Sequence, residues 1–368
     1  MYYKTYGNTG LKVSAVGMGC MRYDEEDVKA GRLERCAEVP LYAHAQGINY
    51  FDTAPYYCED KSEEITGMAL SQLPRDSFLV SSKTNIGTVG KVVNGDTFRR
   101  RLEKTLTRLK VDTLDFYHLW CLMSLEDYRR QSDALYRFFE QAQSEGLIRN
   151  IVFSSHMPGE DLEVVISRDD YRGMLIGYNA LNYQFRQRGI EAAAKKGMGV
   201  VVMNPLGGGI IPAHPEQFGF LAEGTDLTVA QAALRFVASQ QEISVALNGF
   251  TTKAHVDDAC RAVDNLQERP ARAIIAELQG RGGTFNDLCT GCGYCNECPV
   301  GIPIPKYMDA YNQKILGGDQ EAIDERLRYH WSLKADGAEA CTACGHCEHL
   351  CTQHLPIIAR LAEISAIR

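Results

Sequence analysis

Tryptophan occurs only twice in the 368 residues, at Trp120 and Trp331, and no run of five basic residues occurs anywhere. With a formal net charge of −8, the chain lacks the electrostatic face that nucleic-acid binding requires. Long apolar runs are missing too. A stretch such as GVVVM at 199–203 is far below the ~20 residues of a membrane helix. The N-terminus, MYYKTYGNTGLKVS, is polar and turn-rich, with nothing like the apolar segment of a secretory signal. The expectation is a cytoplasmic protein with neither nucleic acid nor membrane as partner. A GxGxxG fingerprint is also absent: Gly17 and Gly19 are present, but Arg22 fills the third place. That weakens a doubly wound dinucleotide-binding sheet.

Cysteine, by contrast, is plentiful and uneven. Of thirteen, eight lie after residue 288 in two tight runs, CTGCGYCNECP (289–299) and CTACGHCEHLC (341–351). Thiols two residues apart on a tight turn converge on one centre, as a thiolate-held cubane requires. Disulfides across such gaps are strained and disfavoured in a reducing compartment. Zinc more often takes two CxxC knuckles, whereas each run here continues to a third and fourth cysteine. Two [4Fe–4S] clusters are the favoured reading, with zinc as the remaining rival. In two-cluster ferredoxins the last cysteine of each run ligates the other cluster. By that rule Cys289, Cys292, Cys295 and Cys351 hold one cluster, and Cys341, Cys344, Cys347 and Cys298 hold the other. Two departures stand out: the first run closes with a gap of two, and Thr352 follows the last cysteine where proline often stands. The other five, Cys20, Cys36, Cys58, Cys121 and Cys260, read as ordinary buried thiols.

Before the cysteine runs, β-branched segments alternate with helical periodicity. The strand candidates are VSAVGM (13–18), INYFDT (48–53), FLVSSKT (78–84), LDFYHLW (114–120), NIVFSS (150–155), LIGYN (175–179), GVVVMNP (199–205) and SVALNG (244–249). TFRRRLEKTLTRL (97–109), DALYRFFEQAQSEG (133–146) and TVAQAALRFVASQ (228–240) lie between them with 3.6-residue stripes. Gly146 suits a helix end and Thr228 a helix start. Eight strands, each followed by a helix, predict an α/β fold, a (β/α)8 barrel with its chemistry at the strand C-termini. Asp52, Tyr57, Lys83 and His118 or Trp120 then converge from three neighbouring strands. A lysine beside a tyrosine lowers the phenol's pKa from its usual ~10, and an aspartate keeps the lysine charged.

These residues resemble the aldo-keto reductase family. The resemblance rests on GINYFDTAPYY (47–57), SSKT (81–84), TLDFYHLW (113–120), GLIRNIVFSSH (146–156), YNALN (178–182), GMGVVVMNPLGGG (197–209) and ALNGFTTKAHVDDA (246–259). With the cysteine runs it is similar to a branch in which the barrel precedes a ferredoxin-like segment. The family implies hydride transfer between NAD(H) or NADP(H) and a small carbonyl or alcohol. Carried over by position, Tyr57 is the proton donor, Lys83 tunes it and Asp52 supports Lys83. The family's catalytic histidine falls on Trp120, while His118 lies two residues earlier and is expected one layer deeper in the barrel. The carboxamide clamp falls on Ser154 and Ser155, and Pro205 and Leu206 join the cofactor set after strand seven. Gly249, Phe250, Thr251 and Thr252 are expected to meet the phosphates. His255 stands in a position that grips a 2′-phosphate and Asp258 at the adenine, a weak clamp that leans toward NADH.

The expected organisation is a barrel over 1–278, a linker over 279–287 and a small, mainly helical ferredoxin-like domain with two [4Fe–4S] clusters over 288–368. The charged segment 312–340 reads as helical, a solvated cover or a partner surface. The clusters imply an electron-transfer protein as partner. The alternative is a barrel enzyme or ligand-binding protein whose clusters are a structural or partner-docking module without redox coupling, stapling an annex whose own core is thin.

Overall fold

The predicted apolar runs pair edge to edge and close on themselves. The computed structural model describes residues 1–168, 171–281 and 287–367; most of the expected linker 279–287 lies outside them. The chain divides into two units, one of Met1–Leu206 with Leu221–Arg281, the other of Gly207–Phe220 with the chain beyond Arg281. The stretch 207–220, expected within the barrel, therefore belongs with the C-terminal unit.

The first unit opens with an antiparallel hairpin, β1 (Tyr3–Thr5) against β2 (Lys12–Ser14). Eight parallel strands follow: β3 (Val16–Gly19), β4 (Tyr50–Asp52), β5 (Leu79–Thr84), β6 (Leu114–Leu122), β7 (Ile148–Ser155), β8 (Gly173–Gly177), β9 (Gly199–Met203) and β10 (Val245–Gly249). They form a closed barrel in the order β10-β3-β4-β5-β6-β7-β8-β9. All eight strand candidates lie in it, with one difference: the run 13–18 is split. Its start completes the hairpin and its end is the first barrel strand, because the Ser14 hydroxyl bonds the Val16 carbonyl at 2.7 Å and turns the chain.

Local signals set the helices. Thr228 caps Val229–Ala238 in a reciprocal capping box with Gln231. Leu125–Ser144 stops at Gly146, whose φ of 78° lets its N–H and that of Leu147 reach back to Gln143 and Ala142. At the hairpin end of the barrel, Tyr6 packs on Phe116 (4.4 Å between ring centres) and Tyr50 (6.3 Å) among Leu79, Val152, Leu175 and Val201. Gly199 is required there, since a Cβ would come within 2.2 Å of the Tyr6 ring. This packed floor leaves the opposite, C-terminal end for chemistry.

The second unit is mainly helical. Ile304–Ile315 and Ile357–Ser365 share an apolar core with Ile302, Ile323, Leu327 and Leu355. The core is fuller than expected, and the segment 312–340 is more than a cover: it inserts Ile323, Leu327, Ala335 and Ala338. Among the described residues no helix is long and apolar enough to cross a membrane.

Candidate active site and iron–sulfur centre

Parallel pairing carries four polar residues to one end of the barrel. Asp52 closes β4 opposite Ser81 of β5, and Lys83, two residues on, stands opposite His118 of β6. Residues two apart share a strand face, so their side chains meet inside, none more than 4% exposed. Lys83 forms a close ion pair with one carboxylate oxygen of Asp52 and donates to the Thr53 carbonyl at 2.7 Å. The Ser81 hydroxyl donates to the other carboxylate oxygen. A buried pair this well bonded is stable, whereas either charge alone would not be.

Tyr57 follows β4 and lies over this pair, with Lys83 Nζ 5.2 Å from its ring centre. Trp120 meets the ring edge-on, centres 5.9 Å apart at 86°. The phenol departs from expectation. Burial first, then the charge of Asp52, hold its pKa well above the ordinary value, while Arg22 pulls the other way. Lys83 does not depress it here because its charge is matched by Asp52. The resting Tyr57 is a phenol that keeps its proton.

The turn holding Tyr57 is unusual. Tyr56, Cys58, Glu59 and Asp60 have φ of 69°, 51°, 55° and 63°, left-handed backbone that costs ~1–2 kcal/mol per non-glycine residue. Such strain persists only where the surroundings over-determine it. Arg108 supplies that restraint, gripping both oxygens of Asp60 at 2.8 and 2.7 Å. Arg101 and Ser82 hold the neighbouring Glu63 at 2.9 and 2.8 Å.

His118 stands opposite Lys83 and is fully buried. Its Nε2 is 3.4 Å from Ser81 Oγ and 3.8 Å from Asp52 Oδ1. Burial, aided by Lys83 and opposed by Asp52, lowers its pKa to about 4. The unfolded chain, with a histidine near 6.5, takes up that proton first, so stability falls as pH drops from ~6.5 to ~4. Denaturant unfolding followed by circular dichroism at pH 7.5 and 4.5 is expected to show wild type losing about 2–3 kcal/mol more than His118→Phe. Equal losses would mean that His118 is protonated in the fold.

A cavity of about 420 Å³ opens beside the phenol, lined by Arg22, Tyr23, Tyr56, Tyr57, Cys58 and Thr251 among others. Arg22 entered the sequence reading only as a missing glycine. Its stem lies against Gly249, where a Cβ would meet it at 2.7 Å, and its carbonyl accepts the Thr251 hydroxyl at 3.0 Å. Of the expected cofactor residues, Gly249, Phe250, Thr251 and Thr252 thus stand beside a cation and the N-terminus of the helix Lys253–Ala262, which Thr252 caps. His255 Nδ1 accepts the Thr251 N–H at 3.3 Å, and Asp258 accepts the Gln231 amide at 2.8 Å. Ser154 and Ser155 are buried, and the Ser155 hydroxyl already donates to Leu122 and accepts from Met157. Pro205 and Leu206 follow β9 at the end of the unit's first segment. Of the five thiols expected to be buried, Cys20 and Cys36 are, but Cys58, Cys121 and Cys260 are only half-buried.

In the C-terminal unit the cysteines sort across the two runs. Cys298, Cys341, Cys344 and Cys347 line one small cavity. In the other set, burial pushes Cys289 and Cys295 up to about 12, with Cys292 and Cys351 adding to the shift. The sets are those of the crossed assignment. Among the described residues neither closes to the spacing of a single metal ion.

Comparison with known proteins agrees with this geometry. Residues 15–274 match the aldo/keto reductase family model, and residues 288–355 match a 4Fe-4S dicluster domain. Relatives include L-galactose dehydrogenase of Arabidopsis thaliana, 26% identical, with 72% of this chain and 88% of that protein covered. NADH-specific methylglyoxal reductase of Escherichia coli is 26% identical over 56% of this chain and 67% of that protein. Among solved structures, an aldo-keto reductase from Klebsiella pneumoniae in complex with NADPH superposes with a TM-score of 0.60 at 22% identity, covering 76% of this chain and 96% of that one. Barrel, polar cluster and family match together place this chain in the aldo/keto reductase family, as an oxidoreductase followed by a 4Fe-4S dicluster domain.

Proposed function

We propose that the barrel interconverts a small carbonyl compound and its alcohol with a nicotinamide cofactor. The observation that carries this reading is Tyr57, a proton-holding phenol lying over the buried Lys83–Asp52 pair at the mouth of a substrate-sized cavity. Bound nicotinamide would supply a hydride to the carbonyl carbon or take one from the alcohol. Tyr57 gives the oxygen its proton in reduction and takes it back in oxidation, a general acid–base role. Lys83 and Asp52 fix the field around the phenol, and Trp120 walls the site where a histidine donor is usual in the family.

Arg22 and the N-terminus of Lys253–Ala262 would hold a pyrophosphate, the anion that helix N-termini favour. Lys253, the other nearby cation, is paired with Glu38 at 2.9 Å, and His255 is tied to Thr251. Little positive charge is left for a 2′-phosphate, which supports NADH over NADPH. In the C-terminal unit the two crossed cysteine sets would each hold a [4Fe–4S] cluster. The clusters, when bound, would exchange single electrons with a partner protein. The apolar core around Ile304, Ile357 and Leu361 supports this over a purely structural role, since the unit has packing of its own.

Anaerobically purified full-length protein should be titrated with NADH and NADPH, following absorbance at 340 nm, cofactor fluorescence and the clusters' EPR signal. Tighter binding of NADH, with turnover of carbonyl probes such as methylglyoxal, is expected. Failure of both nucleotides to bind would sink the nicotinamide assignment.

A further inference from the structure

The two cysteine runs are an internal repeat, C-T-x-C-G-x-C at 289–295 and again at 341–347. The backbone repeats with them. Gly291 and Ala343 have φ of 64° and 53°, Gly293 and Gly345 have 80° and 76°, and Gly301 and His354 have 76° and 54°. Pro303 and Pro356 then precede the helices Ile304–Ile315 and Ile357–Ser365 with matching dihedrals, φ −77° and −76°. Each element around one set of cysteines thus has a counterpart around the other, so differences between counterparts are informative.

Two differences concern hydroxyl donors. Thr290 and Thr342 are counterparts, yet Thr290 is 3% exposed while Thr342 faces solvent. The Thr290 hydroxyl has no hydrogen-bond partner among the described residues. A buried unpaired hydroxyl is costly, and Thr290 is the chain neighbour of Cys289, so a sulfur-rich group held there would offer it an acceptor. The second pair is Pro299 and Thr352, each following the last cysteine of its run. Proline has no donor. Thr352, 2% exposed, lies with Oγ1 3.4 Å from Cys292 Sγ and accepts the Gln353 side-chain amide at 3.2 Å. A cluster-bound Cys292 thiolate has no proton to give, so in this contact the Thr352 O–H would be the donor. Both hydroxyls belong to the set Cys289, Cys292, Cys295 and Cys351. The other set has a solvated threonine, a proline and the exposed Cys344.

We propose that Thr290 and Thr352 donate hydrogen bonds to sulfur at the centre bounded by Cys289, Cys292, Cys295 and Cys351 and raise its reduction potential. This rests on the reading of the unit as a two-cluster domain. Reduction adds negative charge to the sulfurs, and hydrogen bonds to them and solvent exposure are two levers on the potential. Three cysteines of this set are under 10% exposed, so burial disfavours the added charge. The two hydroxyls offset that penalty, whereas water serves the other centre through Cys344. The two centres are kept reducible by different means.

The test is an EPR-monitored potentiometric titration of full-length, anaerobically purified protein. In T290V/T352V one couple should fall by about tenfold in its equilibrium constant, ~59 mV for one electron, with the other unmoved. T290S/T352S, which keeps both hydroxyls, should hold the wild-type value, and T342V should move neither couple. If the double valine variant fails to take up iron, the single variants carry the same comparison. Full iron content with both couples unmoved in the valine variants would overturn the proposal, as would an equal shift from T342V. Wild type without a reducible iron–sulfur signal would instead overturn the two-cluster reading, and is seen before any variant is made.

Discussion

Tyr57→Phe should lower kcat/KM for carbonyl reduction by ~10²–10⁴-fold, the range for loss of a positioned general acid. Nucleotide affinity should be unchanged, because the ring and its edge-on contact with Trp120 survive. The wild-type pH profile carries the same information. The phenol is held well above its ordinary value by burial and Asp52, so it remains protonated through pH 9. The reductive rate should therefore show no alkaline fall from this group between pH 7 and 9. Oxidation of the alcohol needs the deprotonated form and should rise over that interval. A Tyr57→Phe enzyme with more than a tenth of wild-type activity would mean that another group, His118 or a water, delivers the proton.

Lys83→Met is expected to harm stability as well as catalysis. It leaves Asp52 charged and buried, with only Ser81 as a close donor. Breaking a buried pair from one side costs ~3–5 kcal/mol, about 10 °C in melting temperature for a barrel of this size. Asp52→Asn should do comparable damage by stranding Lys83, which is 1% exposed. The double variant K83M/D52N removes both charges, so its melting temperature should recover above that of either single variant while activity stays lost. Additive losses in the double variant would show that the two residues act independently, contrary to the close contact between them.

Much of this was legible in the chain because periodicity and spacing are local properties. The apolar strand runs that carry Asp52, Lys83 and Trp120 recur between helical stripes and can be read directly, and Thr228 and Gly146 carry their own signals. What was not legible depends on long-range packing. Nothing in APYYCED announces a left-handed turn; it exists because Arg108, some fifty residues away, holds Asp60. Arg22 gained meaning only when β10 brought Gly249 alongside its stem. The direction of the Tyr57 shift differs from the expectation because spacing shows which charges are near, but not how far the fold buries the phenol.

The segment Gly207–Phe220 leaves the barrel chain after β9 and returns before Val229–Ala238, yet it belongs with the C-terminal unit. Its Ile211 and Phe218 are fully buried, and Gln217 bonds the Leu316 carbonyl at 3.1 Å. During synthesis this loop emerges some hundred residues before Leu316, its partner in that bond. Domains generally fold as they leave the ribosome, N-terminal first, at ~5–20 residues per second. The Gln217 amide therefore waits several seconds, by that rate, for its acceptor. Any truncation that removes the cysteine-bearing segment makes the wait permanent, and leaves Gly207–Phe220 without the rest of its unit.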